Sequence, residues 1–226
     1  MDERLQRLLE DERWEELGRS IHAELPQGDL DELLFCLMFH QQPGLVERLL
    51  ALGANPNQPG FWGDCFPNYT ALTVAEAPSL VRTLIGAGAL VKVECCGEVH
   101  STSVHEACEN GQLERLRVLV EEGDGELAFE CPDYIGRYPL HVAAAEGRAE
   151  VVGYLIERGV DVNAICEEKI GETAVAWALM NGHVDVARLL IRHGADPTLA
   201  IGLNSPPIQP DRLQEWLDAP ELDVSS

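Results

Sequence analysis

The sequence predicts an all-α solenoid: short helix–turn–helix units stacked side by side, with long finger loops between them and helical caps at both ends. Three observations predict it. From Gly136 to Asn163 the chain reads GRYPLHVAAAEGRAEVVGYLIERGVDVN, two short apolar stripes each stopped by a glycine. The same pattern returns about one unit before and one unit after, in the same register. Each helix would be only about ten residues long, too short to persist alone in water. Such a unit gains stability only against copies of itself.

Local chemistry supports the reading of that central unit. Pro139 fits a first helical turn, where a missing N–H costs nothing, and Gly147 and Gly159 fit helix C-termini, where the chain turns through positive φ. The unit after it opens with Gly171-Glu172-Thr173-Ala174-Val175-Ala176-Trp177-Ala178 and continues through Gly182 to Gly194-Ala195-Asp196-Pro197. The unit before it runs from Thr102-Ser103-Val104-His105-Glu106-Ala107 through Gly111 to Gly123. Register holds throughout: His105 to Gly123, His141 to Gly159 and Ala176 to Gly194 are equal spans. With its Tyr138-Pro139-Leu140-His141 opening and Gly-x-Asp-x-Asn ending, the pattern resembles the ankyrin repeat. The resemblance covers about residues 31–198, as five repeats near 31–57, 68–91, 101–127, 136–163 and 171–198.

Taken in order, residues 1–30 carry Leu5, Leu8, Leu9, Trp14, Leu17, Ile21 and Leu25 at spacings of three and four, which predicts one or two amphipathic helices acting as an N-terminal cap and ending near Pro26-Gln27-Gly28-Asp29. Leu33–His40 and Leu45–Leu52 form a degenerate first repeat, ending in Gly53-Ala54-Asn55-Pro56-Asn57 but lacking the usual opening; either a true repeat or an irregular cap fits it. The following loop has Pro/Gly punctuation yet carries Phe61, Trp62, Phe66 and Tyr69. These rings either plug the core of the next repeat or anchor a partner. In the second repeat, Thr70-Ala71-Leu72-Thr73-Val74-Ala75 leads to Leu80–Ala89 over a spacing three residues shorter, so its first helix or turn is trimmed around Pro78. Val91–His100 alternates as an extended finger, and Glu121–Asp133 carries six acids and no base. Residues 31–200 thus hold the repeats, and 201–226 supply a cap helix at Asp211–Leu217 and a frayed tail.

Composition narrows the function. With 39 acidic and 16 basic residues the formal net charge is -23, so phosphate-rich nucleic acid is repelled and a cationic protein is favoured. An acidic surface also serves solubility alone. No apolar run reaches membrane-spanning length, and Met1-Asp2-Glu3-Arg4 lacks the order of a secretory signal, so a cytoplasmic protein is expected. Seven cysteines stand in no metal-type spacing, which suits a reducing compartment. Cys65, Cys95, Cys96, Cys131 and Cys166 recur between repeats, but neighbouring repeats stack at roughly 8–10 Å, too far for easy bridging.

No reaction centre assembles. His105 and Cys108 share one side of a helix, but His105 holds the position whose histidine, in the family resembled, braces neighbouring loops. Phosphate-loop, zinc-protease and serine-hydrolase motifs are absent, so neither catalysis nor a cofactor or metal is expected. The resemblance implies binding through the fingers and the exposed side of each first helix. Mapped onto this sequence, those positions are Phe39 and His40; Phe66 and Tyr69; Glu98, Ser101, Glu109 and Asn110; Tyr134, Arg137 and Glu146; and Glu172, Met180 and Asn181. Phe61 and Trp62 join them as loop aromatics. A monomeric interaction module for a basic protein is the expected function; the alternative is an inhibitor, such as a bacterial immunity protein that covers the basic active site of a toxin or enzyme.

Overall fold

The computed structural model describes residues 1–40, 42–60, 69–91, 102–123, 137–166 and 172–200. Among them the chain is all-α, with twelve α-helices, a closing 3-10 turn at Pro197–Ala200, and two isolated antiparallel bridges in place of any strand. It forms two compact units, residues 1–107 with 114–126, and residues 108–113 with 127–226.

The first unit begins with α1 (Glu3–Glu10) and α2 (Trp14–Ser20) packed on each other. Asp2 starts α1 because its carboxylate accepts the Arg4 N–H at 2.7 Å, an acid at the positive end of the helix dipole. Leu5, Leu8, Leu9, Leu17 and Ile21 are buried, as the spacing of the apolar residues requires. The next helix, α3 (Gln27–Phe39), opens earlier than the repeat boundary at 31 suggests. Pro26, read in the sequence as punctuation after the cap, is instead the residue that starts α3, with Gly28 and Asp29 in its first turn. It packs on α4 (Pro43–Ala51), where Pro43 occupies a first-turn position.

A recurring brace satisfies equivalent backbone groups after Gly53, Gly88 and Gly194. Asn57 donates Nδ2 to the Gly88 carbonyl (2.9 Å) and accepts the Leu90 N–H (2.8 Å); Asn163 does the same with Gly194 (3.3 Å) and Asp196 (2.7 Å). At Gly53 and Asn55 the identical backbone groups are satisfied by Gln27 (2.8 Å) and Asp31 (2.6 Å) of α3. Two side chains of one helix thus do the work of the asparagine. Asp31 is buried in doing so.

Trimming of the second repeat falls on both helix and turn. Its first helix, α5 (Ala71–Val74), is only four residues, and α6 (Pro78–Gly86) follows almost at once. Four residues leave the last carbonyls of α5 without intrahelical donors. The third repeat supplies them: Arg115 in α8 (Leu113–Glu121) is buried and donates Nη2 to the carbonyls of Leu72 and Thr73. Before α5, the Gly60 N–H bonds the Tyr69 carbonyl at 2.9 Å, closing the base of the aromatic loop. A Cβ at Gly60 would lie 2.1 Å from Phe35 Cγ, so only glycine fits beneath that ring. The helix α7 (Ser103–Glu109) crosses the division between the units.

The second unit holds α9 (Pro139–Ala145), α10 (Ala149–Glu157), α11 (Ala174–Met180) and α12 (Val184–Arg192). α9 packs on α10 and α11, α11 on α12, and α10 on α12. Every residue of α9 is buried, and its run of alanines lets α11 approach closely. Between α9 and α10, Gly147 has φ 67° and His183 presses on it, a Cβ there lying 2.4 Å from the imidazole Nδ1. Among the described cysteines, Cys108 and Cys166 are buried and Cys36 is half-buried. The expected fingers at 91–100 and 121–133, the cap helix at 211–217, and Cys65, Cys95, Cys96 and Cys131 lie wholly or largely outside the described residues.

Candidate protein-contact surface

Two of the short first helices, α7 and α9, each carry a buried histidine. Nδ1 of His141 accepts the Tyr138 N–H at 3.2 Å, so Nε2 carries the proton and donates to the Ala164 carbonyl at 3.0 Å. Burial drives its pKa down to about 4, and the nearby Arg137 charge adds to the effect, against the pull of the Ala164 and Glu172 carbonyls. A neutral, fully engaged imidazole is a brace, as the family resemblance implied. His105 is likewise buried, with Nδ1 2.7 Å from the Thr102 hydroxyl.

Beyond these braces the first helices surface at their C-terminal ends. In the second unit, α7 ends in exposed Glu109 and Asn110, α9 is followed by exposed Glu146, and α11 ends in exposed Met180 and Asn181. Met180 is 47% exposed, unusual for so apolar a side chain, while Ala174, Val175, Ala176 and Ala178 before it are buried. Asn181 donates Nδ2 to the Trp177 carbonyl at 2.9 Å and so closes the helix end. Arg148 donates Nε to the Glu109 carbonyl at 2.8 Å, which sets a guanidinium beside that helix end. The residue was not picked out by sequence, because the contact links positions 39 apart. Arg137 is half-buried.

In the first unit Phe39 ends α3 and is 42% exposed, its ring edge-on to Phe35 at 5.5 Å. His40 follows, half-buried, with its ring 5.0 Å from that of Trp14. Tyr69 is half-buried too and donates its hydroxyl to Glu106 at 3.3 Å. Glu172 is placed differently from its neighbours: the structure buries it completely. Neither of its carboxylate oxygens has a hydrogen-bond partner, and burial raises its pKa. Phe61, Trp62, Phe66, Glu98, Ser101 and Tyr134 lie outside the described residues.

No arrangement among the described residues suggests chemistry. No group of three or more His, Cys, Asp or Glu side chains has metal-holding geometry there. A cavity of about 410 Å³ beside α1 and α2 is lined by Ser20 and His22 among others, but the Ser20 hydroxyl already donates to the Glu16 carbonyl of its own helix. No described helix is long and apolar enough to cross a membrane.

Stacked helix pairs of this register match a family profile described as ankyrin repeats (3 copies), over residues 69–166 and 128–201, more than half of the chain. The chain belongs to the ankyrin-repeat family. It is similar to the B-cell lymphoma 3 protein homolog of Mus musculus, 33% identical over 125 residues, 54% of this chain and 27% of that protein. Against the human B-cell lymphoma 3 protein the identity is 32% over 88% of this chain and 48% of that one. Palmitoyltransferase AKR1 of Lachancea kluyveri is 36% identical over 42% of this chain and only 13% of its own length. The chain therefore spans less than half of each of these relatives. Ankyrin repeats generally mediate protein–protein interaction and are generally non-catalytic.

Proposed function

We propose that this chain is a non-catalytic interaction module that holds a protein with a basic surface, and that it acts in the cytoplasm. The observation that carries the reading is the set of exposed helix ends of the second unit, apolar at Met180 and polar at Glu109, Asn110, Glu146 and Asn181. Helix ends that offer both an exposed apolar side chain and exposed carboxylates suit a partner patch with an aliphatic or aromatic side chain and Arg or Lys. The net charge of -23 would speed the encounter with such a partner. Phe39, followed by half-buried His40, forms a second exposed helix end in the first unit.

The test is direct. A partner captured from cells and identified by mass spectrometry would be titrated calorimetrically against the wild type, Met180→Asp and the double variant Glu109→Lys/Glu146→Lys. A loss of at least tenfold in affinity, with unchanged thermal unfolding of the variants, is expected; unchanged affinity would remove these helix ends from the binding surface. The inhibitor reading uses the same face and the same charge. If the captured partner is an enzyme or toxin, loss of its activity at stoichiometric complex decides for inhibition, and full activity decides for an adaptor.

A further inference from the structure

The helix pair α1–α2 turns as the later repeats do. The Glu12 N–H bonds the Leu9 carbonyl (3.1 Å), the Arg13 N–H that of Leu8 (2.9 Å) and the Trp14 N–H that of Glu12 (3.0 Å). In the fourth repeat the same three bonds run from Gly147, Arg148 and Ala149, at 3.3, 2.9 and 3.0 Å; in the fifth they run from Gly182, His183 and Val184, at 3.1, 2.8 and 3.1 Å. Glu12 has φ 52°, the left-handed conformation that Gly147 and Gly182 adopt at 67° and 82°. The segment read in the sequence as a cap is therefore built as a further repeat, with a glutamate in the glycine position. By that register Glu10 and Asp11, which end α1, correspond to Met180 and Asn181 at the end of α11, and to Phe39 and His40 at the end of α3.

Two of these ends meet in the first unit. The ring of Trp14, the first residue of α2, lies 5.0 Å from that of His40 and is tilted to it by 52°. Both residues are half-buried, so part of each ring meets water, and Phe39 next to His40 is exposed. Acids border the rings: Glu10, Asp11 and Glu15 are exposed, while Arg13, the one base among residues 10–16, is already paired with Glu16. Aromatic faces attract a cation, and carboxylates beside them add to that attraction. A guanidinium meets both demands at once, because its flat face stacks on a ring while its N–H groups fork onto carboxylates; an ammonium offers only a point charge. We propose that the Trp14–His40 ring pair and Phe39 dock an arginine side chain of the protein partner, with the acids of the α1–α2 turn holding its guanidinium. This rests on the reading of the chain as a module for a basic protein, and it carries the contact surface one repeat further, onto the N-terminal helix pair.

The experiment uses the full chain and, as probe, the end-blocked peptide Gly-Arg-Gly-Arg-Gly beside its counterpart with citrulline in place of each arginine. Nitrogen-edited NMR spectra would locate and quantify binding, with Trp14→Phe assigning the Trp14 indole. The arginine peptide is expected to shift most strongly the Trp14 indole and the amides of Glu10–Trp14 and Phe39–His40. Citrulline keeps the shape but carries no charge, and its peptide should bind at least about tenfold more weakly. Phe39→Leu, which keeps apolar bulk and removes the ring, should weaken binding about two- to fivefold. The double variant Glu10→Gln/Asp11→Asn, at exposed positions that tolerate change, should also weaken it and keeps the test open if Phe39→Leu folds poorly. Met180→Asp in the second unit should leave affinity at this site unchanged. Equal binding of the citrulline peptide, or an affinity indifferent to the Phe39 and Glu10/Asp11 variants, would overturn the proposal. Shifts confined to the second unit would overturn it too, yet leave the reading of a basic partner in place. Conversely, a captured partner without a basic surface would remove that reading, whatever the peptide does here.

Discussion

At the scale of single residues, two buried titratable groups in the second unit carry opposite signs. His141 has a folded pKa near 4 against about 6.5 for a free imidazole, so the unfolded chain takes up its proton first as pH falls. Its contribution to stability is complete above about pH 6.5 and is lost as pH drops through 4, amounting to about 3 kcal/mol. Urea unfolding at pH 7 and pH 4 checks this, and His141→Gln should flatten the dependence even though it lowers stability at neutral pH. Glu172 works the other way: its raised folded pKa penalises the charged form, so protonation of the folded chain restores stability as pH falls toward the ordinary glutamate value. Glu172→Gln is therefore expected to stabilise the protein at pH 7.5 in urea unfolding, because the amide has no charge to bury. A destabilised variant would mean that the carboxylate has found a partner in solution.

At the scale of elements, a four-residue helix depends on a contact from more than forty residues away. α5 has four residues, far below any length that holds itself, and its last carbonyls are held by Arg115 from α8. Arg115→Met keeps the aliphatic stem but strands both carbonyls, and should lower stability by about 2–4 kcal/mol in denaturant titration. Arg117→Met on the same helix, at a half-buried position, should cost less. The trimmed repeat was legible in the sequence, since its spacing is three residues short. Its remedy was not, because an arginine at position 115 looks like any other helical arginine until the chain brings it to a carbonyl more than forty residues away. The first repeat teaches the same lesson. Its Gly53–Asn57 ending was visible, but Gln27 and Asp31 were hidden as braces because Pro26 and Gly28 read as a stop rather than as a helix start. At the candidate surface, Glu109, Asn110, Glu146, Met180 and Asn181 are exposed, whereas Glu172 is buried, a placement that no repeat spacing encodes.

At the scale of the whole molecule, one quantity read directly from the sequence governs behaviour in solution. Sixteen basic residues face 39 acidic ones, so even if every base were paired, 23 acids would remain without a counter-charge. The ion pairs that do form on the surface are weak: Arg7–Glu3 and Arg19–Glu15 join side chains that are each at least 77% exposed. Self-repulsion among the surplus acids therefore outweighs these attractions and loosens the folded state at low ionic strength. Raising sodium chloride from about 10 mM to 150 mM shortens the screening length from about 30 Å to 8 Å. The melting temperature should then rise by several degrees, as followed by circular dichroism. Association with a basic partner should change in the opposite sense, its on-rate falling over the same salt range because the steering field is screened. A melting temperature that fell with salt would show instead that the ion pairs dominate. An on-rate that ignored salt would show that the partner meets the exposed Met180 helix end through apolar contact alone.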